Sequence, residues 1–487
     1  MKSNSRSNFL FEFSESESGY SFECLVETSL EKANDELEAL DQKLEETIVS
    51  IKNLTPECDK LDYALAVSSG AMCGIIDIFL VSRPGKSPLC DITDKWFGDM
   101  TERFAKLCGW DSKIKESLPV PDSIHSAIKF LEGKFKIPYD QIRADGATAE
   151  FLQMYPNNHH FKSLSHNPTL CGLFFSILDQ FTNTSHFVSG GNLIIMDYTK
   201  GDFSLSGTNI PSKIFCAFVN WIGHLISDIS GSSGATGRGT GIPSPFWTWI
   251  NDITAIKANL EIERKEFEKD FNDFACKLFE KGYDARFQAA QSIPVFINDM
   301  LVRLFYSLRR LFKYYSTTPK ESRSFLALWK ACEPFSNVSV KRMLTVAHGT
   351  FCLLDVGDAV GHGFAKGGGY FNVMEFAMRL NLPGLGRFGV SLMGEANRGF
   401  KLYRFNQAKW ALESDRVILL DHIEGLKILA DRYDDVELFK LIDDFRRSPA
   451  YAEAFEASVR LAEKRGISSD RILRSKSDID SYFEGGI

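Results

Sequence analysis

The clearest pattern near the start of the chain is a set of apolar positions separated alternately by three and four residues. It runs from Leu30 to Leu54, about three and a half heptads, and Pro56 follows it. This spacing predicts a helix over residues 23–57 that either packs on its own domain or self-associates as a coiled coil. Residues 1–22 are rich in Ser, Asn and Glu, a composition typical of a disordered tail.

The next pattern is an apolar run with the sequence YALAVSSGAMCGIIDIFLV, from Tyr63 to Val81, whose only charge is Asp77. Its length can just span the hydrocarbon core of a bilayer, and Gly70-x-x-x-Gly74 forms a small-residue face on which two helices approach closely. We therefore expect Gly70, Gly74 and Asp77 to be pore or helix-packing residues. A buried helix of a large soluble domain has the same composition, and that alternative stays open.

Four further segments combine apolar residues, small residues and one or two ionisable groups. They are residues 167–181, 214–229, 343–364 and 382–394, and none reaches twenty uncharged residues. Alternating residues around Lys200-Gly201-Asp202 predict one β-hairpin over 192–206. The predicted fold is thus mainly α, a multi-helix bundle with an N-terminal coiled-coil-like helix and one small β-hairpin. Its regions are an apolar helical core at 58–250, an amphipathic and Gly-rich helical region at 251–400, and a soluble helical C-terminal region at 401–487.

Composition narrows the partners and the compartment. The 56 Lys and Arg residues against 64 Asp and Glu give a net charge of −8, which argues against a duplex nucleic acid partner. The 40 Phe residues need either a hydrophobic core or an apolar partner surface to bury them. Ten scattered cysteines without a C-x-x-C pair indicate reduced thiols. We expect cytoplasmic synthesis, because no secretory signal is evident, with association with the inner membrane through the apolar segments.

Histidine and acid pairs at helical spacing predict a divalent metal site in one interpretation of the chain. His224 and Asp228 lie four residues apart, as do Asp358 and His362, and Asp355 precedes Asp358 by three. Each set would project from one helical face, and two such helices packed together would hold an ion that activates water. The alternative is a set of polar groups hydrogen-bonded to one another inside a helical core, with no cofactor at all.

Basic residues supply candidate ligand-binding or lipid-binding positions. Arg238 lies in the Gly- and Ser-rich stretch 230–241, which is either a phosphate-binding loop or a flexible connection. Arg303, Arg309, Arg310 and Lys313 alternate with aromatic residues on a helix predicted over 294–315. That face suits anionic lipid or a nucleotide-type ligand, and equally the solvated side of a packed helix.

The acidic heptad helix followed by the Gly70–Gly74 segment resembles, in general character, the helical membrane-acting effectors of bacterial anti-phage and toxin systems. The resemblance implies an oligomeric effector for antiviral defense that acts on or in a membrane as an ion channel or pore. It also implies homo-oligomers, membrane lipid as a partner, and gating by a nucleotide-type signal or a partner. The residues themselves leave two other functions open, a soluble helical metal-dependent hydrolase and a non-enzymatic helical scaffold.

Overall fold

The computed structural model describes residues 22–85, 87–111, 123–138, 158–197, 203–231, 241–263, 265–431, 451–475, 477–478 and 481. Within these residues the fold is mainly α with one two-stranded sheet, as the sequence predicts. The tail predicted at 1–22 lies outside the described residues except for its last position. The chain divides into two compact units, residues 1–55 with 399–487, and residues 56–398.

The first unit contains the heptad helix. Helix α1 (Phe22–Leu54) ends shortly before Pro56, as expected from the missing N–H of proline. Its apolar positions Leu30, Ala33 and Leu37 pack against residues 419–426 of a later helix of the same unit. The heptad face is thus covered within the chain over this stretch, as in a long amphipathic helix packed on its own domain. Self-association through α1 stays a prediction.

The second unit holds most of the helices. In chain order they are α2 (Lys60–Ile76), α3 (Pro88–Leu107), α4 (Ser123–Lys134), α5 (His159–Lys162), α6 (Leu170–Thr182), α7 (Ile210–Asp228), α8 (Pro245–Asn259), α9 (Glu266–Glu280), α10 (Ala285–Thr317), α11 (Phe325–Cys332), α12 (Val338–Ala365) and α13 (Val373–Arg379). Helix α14 (Leu382–Asp431) begins in this unit, and its residues from Gly399 onward belong to the first unit together with α15 (Tyr451–Lys464).

Helix α2 packs closely along α12, and glycine makes that approach possible. A Cβ atom on Gly70 would lie 2.1 Å from the backbone carbonyl oxygen of Ala347, and one on Gly74 would lie 3.1 Å from the side chain of Leu354. The helix begins with a capping box formed by Asp59 and Asp62 and continues after Ile76 as a π-helical turn over Asp77–Val81. The Gly70-x-x-x-Gly74 face therefore serves helix packing within the chain.

The single hairpin is present, but the predicted position was wrong. Strand β1 (Thr184–Ser189) pairs antiparallel with β2 (Asn192–Asp197), with Ser189 opposite Asn192. Gly190 and Gly191 form the two-residue turn with φ of 57° and 69°, a conformation that glycine adopts without strain. Residues 203–206, assigned to a strand by the sequence pattern, are not in one. The proposed turn at Lys200-Gly201-Asp202 lies outside the described residues.

Aromatic residues fill the main core of the second unit. Phe279, Tyr283 and Phe287 are buried together with Trp247, and the ring of Phe161 lies 5.7 Å from that of Phe279. The Tyr283 hydroxyl also donates a hydrogen bond to the carbonyl oxygen of Leu380, and the two oxygen atoms are 2.9 Å apart. The core therefore holds Phe161, and with it the histidine-rich segment in which Phe161 lies.

Candidate metal centre

The histidine-rich segment Asn158–Asn167 is held rigidly by hydrogen bonds from neighbouring helices. It consists of α5 and a 3₁₀ turn over Leu164–His166. The side-chain amide of Asn251 donates to the carbonyl oxygen of Phe161 at 2.7 Å, and the indole N–H of Trp221 donates to that of Ser165 at 3.0 Å. These bonds fix the backbone on both sides of the turn, so the rings of His160 and His166 stack with centroids 4.7 Å apart.

Helix α7 supplies the second half of the cluster. It begins at a capping box formed by Asn209 and Ser212. His224 and Asp228 lie one turn apart near its end, and both are buried. Gly223 precedes His224, and a Cβ there would come within 2.3 Å of the Phe135 ring, so glycine lets α4 and its following residue pack against α7.

Three imidazoles converge on one carboxylate oxygen. The Nε2 atoms of His224, His166 and His160 lie 3.0, 3.1 and 3.7 Å from Asp228 Oδ2. The Nε2 atoms of His166 and His224 are themselves 3.0 Å apart. All four side chains are almost fully buried, with at most 4% of any of them exposed. The cluster is therefore a compact set of three nitrogen donors and one oxygen donor.

Hydrogen bonding fixes which nitrogen of His160 faces the cluster. Its Nδ1 lies 3.1 Å from the carbonyl oxygen of Gly241, and because a carbonyl only accepts, Nδ1 carries the hydrogen. In the neutral ring Nε2 then carries the lone pair, and it lies 3.7 Å from Asp228 Oδ2. Two electron-rich atoms facing each other at 3.7 Å are stabilised when a cation lies between them.

His160 and His166 are neutral at physiological pH. Burial lowers the pKa of His166 to about 4, against the opposing influence of Asp228. Burial, together with the neighbouring His159, lowers the pKa of His160 well below its ordinary value. Neutral imidazole is the form that binds metal ions, so these two ligands need no deprotonation near pH 7.

The spacing of the donor atoms fits a divalent ion. Ligands at about 2.1 Å from a common ion are separated by about 3.0 Å at right angles and by about 3.4 Å in a tetrahedron. The observed separations of 3.0–3.7 Å bracket these values. The Nε2 atoms of His166 and His224 are 3.0 Å apart, so one ring can also donate a hydrogen bond to the other when no ion is bound. His160, His166 and Asp228 offer ligand atoms that all lie within 4.8 Å of one another, a group that could hold one ion. His224 Nε2 lies 3.0 Å from both His166 Nε2 and Asp228 Oδ2, so it can be a fourth ligand.

The residues that orient these ligands lie in two further places. The backbone N–H of Gly241 donates to Asp284 at 3.0 Å, and Asp284 is held in turn by Arg286 at 2.7 Å. Ser227 donates to Asp228 Oδ1 at 3.2 Å, which leaves Oδ2 directed at the imidazoles. Metal-binding sites depend on such outer partners to set the orientation of their ligands.

Three of the predicted metal ligands lie elsewhere. Asp355 accepts from the backbone N–H of Asn381 at 3.1 Å, and Asp358 accepts from Arg379 at 3.0 Å. His362 lies 3.6 Å from Asp358 on the same helix. The structure therefore brings His224 and Asp228 together with His160 and His166 and not with the α12 set. The helical spacing on α12 is used for contacts with the residues around α13.

Asp77 is a buried hydrogen-bonded group in the described chain. Its Oδ1 accepts from the side-chain amide of Asn381 at 2.6 Å, and only 3% of the residue is exposed. Gly70 and Gly74 contact α12, as described above. The structure thus assigns all three residues to helix packing inside one chain, and a pore-lining role for them stays a prediction.

The basic residues of α10 are mostly engaged in ion pairs and hydrogen bonds inside the chain. Arg309 binds Asp59 and Asp62, and Arg310 lies 3.1 Å from Asp62. Arg303 donates to the Pro334 carbonyl oxygen at 2.6 Å and pairs with Asp299 at 3.3 Å, whereas Lys313 is exposed. Three of the four predicted ligand-binding or lipid-binding side chains thus already have partners. Arg238 lies outside the described residues.

Sequence reasoning missed His160 and His166, although the sequence held a signal. His159, His160 and His166 are three of the nine histidines and fall within eight residues. Such a concentration favours metal binding. Comparison with protein-family models, with curated proteins and with solved structures finds no match to this chain.

Proposed function

We propose that this protein is a metal-dependent hydrolase whose divalent ion is held by His160, His166, His224 and Asp228. The observation that carries the proposal is the convergence of three imidazole nitrogens on one buried carboxylate oxygen: the Nε2 atoms of His160, His166 and His224 lie 3.7, 3.1 and 3.0 Å from Asp228 Oδ2. An ion at the centre turns four mutually crowded groups into four ligands.

The donor set favours a transition ion. Imidazole suits Zn²⁺, Fe²⁺ and related ions, and one carboxylate is compatible with any of them. When bound, such an ion lowers the pKa of a coordinated water toward neutrality and supplies a nucleophile for the cleavage of esters or phosphoesters.

A catalytic role is favoured over a structural one by the chemistry of the ligands. Structural zinc sites are dominated by cysteine thiolates, whereas catalytic sites use histidine with a carboxylate. None of the four ligands is a cysteine. The chain's own residues would hold the ion, keep the imidazoles neutral through burial, and orient His160 through Gly241 and Asp228 through Ser227.

The test is hydrolysis by the full-length protein in mild detergent. The protein is stripped with a chelator, reloaded separately with Zn²⁺, Mn²⁺ or Fe²⁺, and assayed on nitrophenyl carboxylic esters and nitrophenyl phosphodiesters. We expect hydrolysis that depends on one of these ions. His224→Gln and Asp228→Asn each lower it by at least a hundredfold, because removal of a ligand disrupts the site.

His348→Gln is the matched control. His348 is as deeply buried as His224, but it lies on α12 and pairs with Asp299. Its replacement should leave metal-dependent hydrolysis within about threefold of wild type after correction for folded protein. Equal activity in the stripped, reloaded and His224→Gln proteins, or an equal loss in both glutamine variants, would contradict the proposal.

A membrane-acting effector is the second candidate. It is favoured by two helices that are long and apolar enough to cross a membrane, residues 60–81 and 338–365. This support is weak by itself, because core helices of soluble proteins pass the same test. Leakage of a dye from liposomes by purified protein, with and without nucleotide ligands, tests the channel or pore function. No leakage under any of these conditions would count against it.

A further inference from the structure

Helix α7 has its polar and apolar residues on the opposite sides from those of a helix in water. All of its exposed residues from Ile214 onward are apolar: Ile214, Phe215, Phe218, Val219 and Ile222. Its buried side includes His224, Ser227 and Asp228. A helix on the surface of a water-soluble protein buries its apolar stripe and exposes the polar one. The pattern of α7 is therefore inverted.

The same inversion occurs on α2 and its π-helical extension. Between residues 61 and 80 the exposed side chains are apolar with the exception of Ser68, and Phe79 is the most exposed of them. The polar residues Asp62, Ser69 and Asp77 are buried. Ser69 donates to the side-chain oxygen of Asn298 at 2.7 Å. Polar groups thus satisfy one another inside, and the outside carries almost nothing that binds water.

Helix α6, which packs beside α7, repeats the pattern. It exposes Leu170, Phe174 and Phe181 and buries Ser176 and Asp179. Large apolar side chains that are exposed on the neighbouring helices α6 and α7, and also on α2, mark interaction surfaces rather than an ordinary protein exterior. We therefore expect an apolar partner to cover these exposed side chains.

Helix α9 of the same unit serves as an internal comparison. Apart from Phe267, its exposed residues are all charged: Glu266, Lys269, Asp270, Asp273 and Lys277. Its buried side includes Ala275, Leu278 and Phe279. This is the ordinary arrangement for a helix in contact with water, so the inversion is confined to particular helices of the unit.

Length and composition identify the partner. Residues 60–81 form 22 residues of continuous helix, about 33 Å at the usual rise, against about 30 Å for the hydrocarbon core of a bilayer. Less than half of this segment, and less than half of its neighbour α12, is buried inside the chain. The hydrocarbon of a bilayer imposes two requirements on a protein: buried polar groups pair with one another, and the exterior carries no charge.

We infer that the apolar faces of α2, α6 and α7 contact the hydrocarbon layer of a lipid bilayer. The helix that supplies His224 and Asp228 to the metal centre is then itself a lipid-facing helix. The inference goes beyond the proposed hydrolase and does not depend on it, because the exposed faces are formed whether or not the ion binds.

A lysine substitution distinguishes a lipid-facing position from a water-facing one. Phe215 and Phe267 are 67% and 68% exposed, so Phe215→Lys on α7 and Phe267→Lys on α9 are matched in chemistry and in exposure. Each full-length variant is mixed with vesicles of phosphatidylethanolamine and phosphatidylglycerol and separated by flotation. We expect Phe215→Lys to lower the ratio of vesicle-bound to unbound folded protein by at least tenfold, because lysine in hydrocarbon is unfavourable. Phe267→Lys should leave this ratio unchanged.

A second measurement covers the case in which Phe215→Lys does not fold. Benzoylphenylalanine, which is close to phenylalanine in shape, is placed at 215 or at 267 and irradiated in the same vesicles. Crosslinks to lipid at 215 and not at 267 support the inference. Equal crosslinking at both positions, wild-type protein that does not float, or a Phe215 face that crosslinks only to a second copy of the chain would overturn it. Asp228→Asn should float like wild type, so failure of the metal site and failure of membrane contact are distinguishable.

Discussion

Replacing Gly70 by alanine tests the closest helix contact in the structure. A Cβ at this position would lie 2.1 Å from the carbonyl oxygen of Ala347 and 3.0 Å from Cβ of Thr350. The nearest atom belongs to the backbone of α12, which cannot rotate away as the end of a flexible side chain can. Helices α2 and α12 must therefore separate to admit one methyl group.

The magnitude follows from two opposing effects. Alanine in place of glycine inside a helix contributes about 1 kcal/mol to stability, because it restricts the unfolded chain and favours helix. Forcing a group into a well-packed contact costs about 1–3 kcal/mol and more when backbone must move. Because the clash is with backbone, the cost is at the upper end of this range, and we expect Gly70→Ala to lower the free energy of unfolding by about 2 kcal/mol overall. For a unit that spans residues 56–398, 1 kcal/mol corresponds to about 1.4 °C, so Tm should fall by about 3 °C.

Gly357→Ala on α12 is the control, because a Cβ at that position meets no atom within 4 Å. It should keep or raise Tm, since only the favourable helix effect operates. Both variants are melted in the same detergent and followed by circular dichroism at several protein concentrations. The packing argument is refuted if Gly70→Ala melts at or above the temperature of Gly357→Ala. A loss that depends on concentration would instead place Gly70 at a contact between chains.

Three further predictions concern the buried polar groups. The metal-free protein should lose up to about 3 kcal/mol of stability as pH falls from about 6.5 toward 4. The reason is that His166 has a pKa of about 4 in the folded chain and about 6.5 in the unfolded chain, so the unfolded chain binds the proton at higher pH. A Tm that stays constant over this pH range in scanning fluorimetry would contradict the prediction. Asn381→Leu should lower the free energy of unfolding by about 2–4 kcal/mol, because Asp77 loses the side-chain amide that donates to it at 2.6 Å. An unchanged midpoint of urea unfolding would show that this hydrogen bond does not stabilise the fold. Gly241→Ala should weaken metal binding by about tenfold in a calorimetric titration. The new Cβ would lie 2.6 Å from the Ile229 carbonyl oxygen and would displace the Gly241 carbonyl group, which orients His160. Metal affinity equal to that of wild type would argue against this role of Gly241.

The sequence predicted the fold class and the contacts that depend on local spacing. The heptad positions of α1 and the pairing of His224 with Asp228 are both set within a few residues along the chain, and periodicity indicates them. The predicted hairpin was displaced because residues on both sides of Lys200-Gly201-Asp202 alternate as strands do, whereas the chain turns at Gly190-Gly191. A two-glycine connection admits the positive φ values that the tight turn requires.

Contacts between distant segments could not be derived in the same way. His166 and His224 are separated by 58 residues in sequence, and only the packing of α6 and α7 brings them within 3.0 Å. The pairs on α7 and α12 look alike as spacing patterns, yet one faces two further histidines and the other faces Asn381 and Arg379. Spacing places groups on one helical face, and tertiary packing decides what that face meets.

The sequence alone did not reveal that helices such as α7 expose their apolar side chains and bury their polar ones, for a related reason. A window of sequence averages the buried Asp, Ser and His of a helix with its exposed Phe and Ile, so that helices such as α7 resemble ordinary soluble ones. Only the separation of exposed from buried positions reveals that the polar residues of α7 lie inside. That separation requires the structure.

The central claim is that His160, His166, His224 and Asp228 hold one metal ion, and X-ray absorption at the metal edge tests it most directly. The full-length protein, purified without chelator and loaded with one equivalent of Zn²⁺, should show a shell of nitrogen and oxygen ligands at about 2.0–2.2 Å with the outer scattering of about three imidazoles. His166→Ala should lower that imidazole count by one or release the ion. A spectrum of hydrated Zn²⁺ without imidazole scattering, or one identical in His166→Ala, would contradict the account.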